Sequence, residues 1–382
     1  MWGIITTVFL GLYGLMSYYI GSRGWYTLGK QAPRPYQILY WIFFLLLILS
    51  FPLAELGEEV LPITIAPVLT IWGGYSMVAV SYLFLLLLVT DLIRLLDKRI
   101  AFLPVIIRDH KKTPLTLGFL LVCLVLIVVV YGSWNARNPI VKEYDLTVYK
   151  NAGPLDQLHI ALVSDLHYGP IIDTKRIERM VEMVKDLQPD IILLAGDITD
   201  GSLLPEQGAK LAAVLARLQS PMGTYIVPGN HDRDLRDDQS ELMNELIESG
   251  ITVLKDNYIT IGDHFHLIGR DDPNRRRGVD RMELEELLVG TDPSKPLILL
   301  DHQPLDLSRA QELGIDLQLS GHTHRGQIFP ANLITGQIYE IDWGLLKKDA
   351  YHLIVSSGFG TWGPPLRIGN RPEVVSIKID FH

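Results

Sequence analysis

The chain changes its hydrophobic rhythm near residue 138. Before that point apolar residues come in long runs with few charges. After it they come in runs of about four to six, separated by polar loops and amphipathic stretches. A membrane-spanning helix needs about 20 predominantly apolar residues. Four stretches reach or approach that length: 2–20, 38–53, 68–90 and 115–134. The fourth contains LGFLLVCLVLIVVVYGSW, without a charge. Tyr36, Tyr40 and Trp41 flank the second, and Trp72, Tyr75 and Tyr82 lie toward the first half of the third, as suits an interfacial aromatic belt. The pattern predicts a transmembrane region over 1–135 with about four helices. Trp2–Ile20 lacks a basic leader and a small-x-small cleavage site, so a retained helix is expected rather than a signal peptide. Two readings stand for 91–107, DLIRLLDKRIAFLPVII: an interfacial helix, or a continuation of the third span.

From Tyr144 the pattern alternates strand and helix. A linker and first strand are expected over 136–156, and a globular domain over 157–382. Strands are expected at 158–163, 190–194, 224–227, 297–300 and 316–319. Helices are expected at 174–187, 209–218 and 241–249, the last closed by Gly250. In the first of these helices Ile177, Met180, Val181, Val184 and Leu187 form one stripe, with Asp173 as its N-cap. Repeated strand–loop–helix units predict an α/β layered domain with polar loops at the carboxyl ends of its strands. The stretch 353–379 reads as strands and turns that complete a second sheet.

Charge divides along the same line. Residues 1–135 hold 9 Lys+Arg and 6 Asp+Glu; the remainder holds 25 and 37, a net of −12. That acidity argues against nucleic acid as a partner. The only cysteine, Cys123, lies in an apolar run, so thiolate metal sites are excluded and any metal must take oxygen and imidazole ligands. The loop between the first two spans carries Arg23, Lys30 and Arg34, and the loop before the fourth carries Arg94, Lys98, Arg99, Arg108, Lys111 and Lys112. The loop between them has Glu55, Glu58 and Glu59 and no Lys or Arg. The positive-inside rule puts both basic loops in the cytoplasm. The expectation is a multi-pass cell-membrane protein whose globular domain is extracytoplasmic.

Candidate chemistry sits on the predicted strand ends. The first gives Asp165 and His167, the second Asp197, the third Asn230, His231 and Asp232, the fourth His302, and the fifth His322 and His324. Gly196, Gly229 and Gly321 precede three of these groups, where glycine permits tight turns and close backbone approach. Each group alone is a weak signal; five strand ends carrying Asp, His or Asn are a strong one. The opening DLH followed by GD, GNHD and GHTH resembles the calcineurin-like metallophosphoesterase family over about 157–380. The SGHTH-x-GQ sequence, the closing RIGNRPEVVSI and the N-terminal membrane segment are similar to the branch described as transmembrane proteins with a metallophosphoesterase domain. That branch usually has two glycines after GHTH; here Arg325 precedes Gly326.

The resemblance implies a domain of two sheets sandwiched by helices and a pair of divalent ions, with Mn, Fe or Zn suiting the imidazole and carboxylate donors. It assigns Asp165, His167, Asp197 and His324 to the first ion, and Asp197, Asn230, His302 and His322 to the second, with Asp197 as the bridge. Two ions about 3.5–4 Å apart clamp a phosphoryl group and lower the pKa of a bridging water, whose hydroxide is the implied nucleophile. The resemblance also implies that His231 protonates the leaving oxygen or stabilises the transition state. Asp232 or Asp165 is expected to orient it. The reading is a phosphoric ester hydrolase acting on a phosphoester or pyrophosphate bond. Membrane lipids are the expected surroundings, and a lipid-linked or amphiphilic molecule the expected substrate. The alternative is a non-catalytic membrane scaffold with a phosphoesterase-like domain. Transport has no support, since the spans hold no charge near their centres.

Other features carry two readings each. Arg325 either touches the substrate phosphate or faces solvent. Arg275, Arg276 and Arg277 form either a phosphate clamp at the site rim or a solvated loop. Phe359, Trp362, Pro364 and Pro365 form either an apolar lip facing the bilayer or ordinary turn packing. His264 and His266 read as structural. The topology has a direct test: in single-cysteine variants, an impermeant thiol reagent should label Asn138→Cys and spare Lys30→Cys in intact cells. The opposite pattern would invert the orientation.

Overall fold

The computed structural model describes residues 2–382 apart from 31, 58–61, 63–64, 109–111, 237–239 and 274–280. Glu58, Glu59, Lys111, Arg275, Arg276 and Arg277 therefore lie outside the described residues. The chain forms two compact units. One comprises Met1–Trp134 with Gly363–Leu366, the other Asn135–Trp362 with Arg367–His382.

Among the described residues the first unit contains four long helices, Trp2–Gly24, Arg34–Gly57, Ala66–Ile100 and Thr113–Ala136. Among the described residues, the last three are long and apolar enough to cross a membrane, one fewer than expected. Trp2–Gly24 is helical as expected, but its side chains 2–6 are outside the described set, and Arg23 interrupts its apolar run. All four helices exceed the predicted spans, because flanking polar residues keep the helical backbone bonds beyond the apolar window. The third continues to Ile100, where Ala101 takes a left-handed conformation and ends it. The 91–107 stretch is thus largely a continuation of the third span, followed by the single turn Val105–Arg108. Asp97 fixes that corner by accepting from Leu103 N at 2.7 Å and pairing with Arg108 at 2.8 Å. Small residues set the helix contacts: a Cβ on Gly73 would lie 3.0 Å from Phe51 Cα, and the Ser50 and Ser76 hydroxyls are bonded.

Among the described residues the second unit holds twelve strands: β1 (Ile140–Val148), β2 (Gln157–Val163), β3 (Ile191–Ala195), β4 (Thr224–Val227), β5 (Ile251–Val253), β6 (Asn257–Ile261), β7 (Phe265–Gly269), β8 (Leu297–Leu300), β9 (Leu317–Ser320), β10 (Gly344–Lys348), β11 (Tyr351–Val355) and β12 (Glu373–Phe381). They make two six-stranded sheets, ordered β1-β12-β2-β3-β4-β5 and β10-β11-β9-β8-β7-β6. The strands β2 to β5 run parallel, as do β7, β8, β9 and β11.

The short apolar runs are continuous because each central strand is buried on both faces. Along β2, Leu158, Ile160 and Leu162 join residues of the other sheet, including Phe265, Ile298 and Leu319, in one inter-sheet core. Its alternate residues, Ala161 and Val163, face Ile177, Met180, Val181 and Val184 of helix Thr174–Leu187. The second sheet has its own outer core, where Leu297, Leu299 and Leu353 meet Leu284, Leu287 and Leu307. The result is helix, sheet, sheet, helix. Helix Thr174–Leu187 begins at Asp173, whose carboxylate accepts from Arg176 N at 3.0 Å.

The C-terminal stretch departs from expectation. Only β11 enters the second sheet; β12 inserts into the first, antiparallel to β2 and parallel to β1. Its apolar alternation, with Val375, Ile377 and Ile379 buried, fills the inter-sheet core beside β2. Residues 140–148, within the stretch read as linker and first strand, form β1 beside β12. Leu162 is fully buried between the sheets. Leu162→Ala should lower the domain's stability by about 2–5 kcal/mol, read from its denaturant midpoint in detergent by near-ultraviolet circular dichroism. A shift under about 1 kcal/mol would place Leu162 outside the core.

Candidate metal centre

The parallel strands all deliver their carboxyl ends to one edge. Asp165 follows β2, Asp197 follows β3, Asn230 follows β4, His302 follows β8 and His322 follows β9. Asp165, His167, Asp197, His322 and His324 all have positive φ, from 47° to 72°. Non-glycine residues rarely adopt that conformation, and such strain persists only where surrounding structure holds it. Here ladder bonds hold it: Asp165 N donates to Gly196 O and His167 N to Asp197 O, both at 2.9 Å.

Two carboxylates then stitch the loops together. Asp197 Oδ1 accepts from His231 N at 2.8 Å. Asp165 accepts from His322 N at 3.0 Å, a bond that joins the two sheets. Glycine is required at both approaches. A Cβ on Gly229 would lie 2.2 Å from Asp197 Oδ1, and one on Gly321 2.3 Å from Asp165 Oδ2.

Among the described residues the donor atoms fall into three groups, one of them His167, Asp200 and His231 and the other two made of the expected ligands. Of those two, Asp165, His167 and His324 form the first, and Asp197, His302 and His322 the second, with ligand atoms in each group within 4.8 Å of one another. In the first, His167 Nε2 faces His324 Nε2 at 3.0 Å, and Asp165 Oδ1 lies 3.5 Å from His324 Nε2. In the second, His302 Nε2 faces Asp197 Oδ2 at 3.1 Å and Asn230 Oδ1 at 3.2 Å. Asp197 Oδ2 also lies 3.7 Å from His167 Nε2, so this one oxygen borders both groups.

The chemistry of this set fits a pair of cations. His302 Nδ1 donates to Ala195 O at 2.7 Å, which turns Nε2 toward the oxygens. Burial opposes a charge on Asp197, yet His302 and its neighbours hold it well below the usual carboxylate range. Burial pushes Asp165 up, and the Asp197 charge adds to that push against His302. Two adjacent buried carboxylates stay ionised together only with positive charge between them. Burial also opposes a charge on His302, but Asp197 outweighs it and raises the imidazole well above its usual range. His322 is pushed down to about 3 by burial and by His302, and His324 falls well below its usual range by burial and His167. Neutral imidazole is the ligating form.

His231 sits at the edge of the set, its side chain 26% exposed. Its Nδ1 lies 3.2 Å from Asp200 Oδ1, and its ring is 5.0 Å from that of His167. Asp200 was not singled out in the sequence; its signal is its place three residues after Asp197 in GDITDG. Burial opposes its charge, but His167 and His231 hold its pKa well below the usual range. The orienting role expected of Asp232 or Asp165 is corrected here. Asp232 is fully buried and accepts from Thr199 N at 2.7 Å and Gly229 N at 2.8 Å, so it braces the turns behind the site. Asp165 accepts from His322 N instead.

Sequence reading also missed Arg367. Its guanidinium is fully buried, donates to Gly358 O and Gly360 O at 3.0 and 2.7 Å, and meets His324 Nδ1 at 3.2 Å. It thereby holds the His324 ring against the loop that wraps Asp165. The signal was RIGN in the closing stretch, read only as a resemblance. Arg325 takes φ +47° and lays its guanidinium 4.2 Å over the Trp343 ring. Glu373 anchors that ring by accepting from Trp343 Nε1 at 3.0 Å. His264 bonds Ala152 O and His266 bonds Thr260 and Asp292, structural roles as expected.

Comparison with known proteins agrees with this geometry. A family model described as calcineurin-like phosphoesterase matches residues 158–326. The transmembrane protein with metallophosphoesterase domain of Danio rerio is 32% identical over 268 residues, covering 66% of this chain and 60% of that protein. Its Bos taurus counterpart is 33% identical over 264 residues, covering 65% and 59%. The chain thus spans about 60% of the length of these relatives. An uncharacterized metallophosphoesterase of Aquifex aeolicus is 34% identical over 227 residues, covering 58% of this chain and 85% of the relative. Apolar helices and relatives named as transmembrane proteins together make this a membrane protein. The chain belongs to the calcineurin-like phosphoesterase family.

Proposed function

We propose that this protein is a multi-pass cell-membrane hydrolase with two divalent ions, cleaving a phosphoester or pyrophosphate bond in a lipid-linked or amphiphilic substrate. The observation that carries the reading is Asp197 Oδ2, bordered by His302 Nε2 at 3.1 Å and His167 Nε2 at 3.7 Å. One carboxylate oxygen between two donor groups is the arrangement a bridging ligand needs. Asp165, His167, Asp197 and His324 would hold one ion, and Asp197, Asn230, His302 and His322 the other. When bound, such ions supply Lewis acidity toward the phosphoryl oxygens and lower the pKa of water. Mn, Fe or Zn suits these donors.

The chain's own residues supply the remainder. Exposed Asn230 and half-buried His231 face the side open to substrate. His231 would deliver a proton to the leaving oxygen, and Asp200 would hold its ring and stabilise the imidazolium. Arg325, fixed over Trp343, presents its outer N–H groups to anionic substrate. Anchoring by apolar helices favours a substrate that itself partitions into the bilayer. The loop charges favour an extracytoplasmic domain.

His231→Ala should lower turnover by about 10²–10⁴-fold while metal content is kept. Loss of metal in that variant would contradict the role. Asp200→Asn should cost about 10–100-fold, again with metal retained. Purified protein should hydrolyse members of a panel of chromogenic phosphodiester, monoester and lipid diphosphate. Chelator should abolish that activity, and Mn, Fe or Zn restore it. Chelator-resistant activity, or none on any phosphoester, would leave the non-catalytic scaffold as the better reading.

A further inference from the structure

Helix Ala331–Ile338, ANLITGQI, follows the His324–Gly326 turn, and none of its residues is buried. Surface helices of soluble domains turn their apolar side inward. This one is reversed. Thr335 Oγ1 donates inward to Asp342 Oδ2 at 2.6 Å, and Asn332 Oδ1 is enclosed. Leu333, Ile334 and Ile338 point outward and are 61%, 62% and 67% exposed. Phe329 just before the helix is 49% exposed, and Trp362 is 56% exposed. The two segments are knitted together. Gln327 exchanges two 2.9 Å bonds with the Trp362 backbone, and Phe329 N donates to Ile368 O at 2.8 Å. Neither 326–339 nor 358–366 contains Asp, Glu, Lys or Arg. Single exposed leucines are common on proteins, but a contiguous uncharged apolar surface marks an interaction.

The occupant follows from chain continuity. Gly363–Leu366, directly after Trp362, groups with the apolar helices. In that unit Pro364 Cα would lie 3.0 Å from a Cβ on Gly74, within helix Ala66–Ile100. Tryptophan is enriched at bilayer interfaces. We propose that Ala331–Ile338, together with Phe329 and Trp362, is an interfacial element that lies in the acyl boundary of the bilayer. The Trp362 ring is 5.9 Å from the His231 ring, so the same element holds the proposed proton donor at headgroup level. That last clause rests on the phosphoesterase reading; the docking does not. With no basic residue in either segment, the attachment is apolar and insensitive to salt.

The test uses the full chain in phosphatidylcholine nanodiscs, with Cys123→Ala to remove the only native cysteine. Nitroxides are placed singly by Ile334→Cys, Ile338→Cys and Ile247→Cys, the last being an exposed apolar position on helix Glu241–Glu248. Positions 334 and 338 should be open to oxygen and closed to a water-soluble nickel chelate, and position 247 the reverse. Nickel access at 334 and 338 equal to that at 247 would overturn the proposal. So would protection from both quenchers, which indicates a second protein copy. These readouts need no activity, so they stand apart from the hydrolase reading. In a second arm, the double variant Ile334→Gln/Ile338→Gln should keep turnover of a soluble chromogenic phosphodiester and lose at least ten-fold on a phospholipid presented in vesicles. Equal loss on both, or loss on neither, would refute substrate delivery by this helix.

Discussion

Two backbone-to-carboxylate bonds hold the site together: His231 N to Asp197 and His322 N to Asp165. Each ties the loop after one strand to a carboxylate after another, and the second crosses between sheets. Without them the ligand loops would be separate strand ends. With them the loops are bound into one surface, at the cost of burying two acids side by side. Burial and mutual repulsion then raise Asp165 even as His302 stabilises Asp197. The centre is built to demand positive charge, which is what a metal pair supplies.

The close approach also explains the glycines and the strain. Gly229 and Gly321 lack a side chain where it would strike a carboxylate oxygen. Five residues of the site adopt left-handed backbone, a cost offset at Asp165 and His167 by their bonds to Gly196 O and Asp197 O. Arg367 extends this logic from the other side. A fully buried cation held by two carbonyls fixes His324 and the 358–360 loop together, so the imidazole has little freedom to turn away.

The two faces of the domain's surface chemistry differ. Most of it is acidic and soluble in character, whereas the segments around Trp362 and Ile334 carry no charge and expose apolar side chains. Two polar residues of helix Ala331–Ile338 are turned inward, Thr335 onto Asp342 and Asn332 with its Oδ1 enclosed. A sequence-periodicity argument cannot see this reversal, because it reads an apolar stripe as the buried face.

The sequence by itself determined the division into apolar helices and a layered domain, and it placed Asp165, Asp197, Asn230, His302 and His322 on strand ends. Those features follow from local pattern: a strand buried on both faces must be continuously apolar, and its first polar residue must mark its end. Helix Thr174–Leu187, with its Asp173 cap, was legible to the residue for the same reason. The tertiary structure alone decided that β12 joins the first sheet, that Asp200 rather than Asp232 faces His231, and that Arg367 supports His324. Each of these is a pairing between residues 31 to 223 positions apart, or a choice among nearby carboxylates, and neither periodicity nor spacing carries the direction in which a side chain turns.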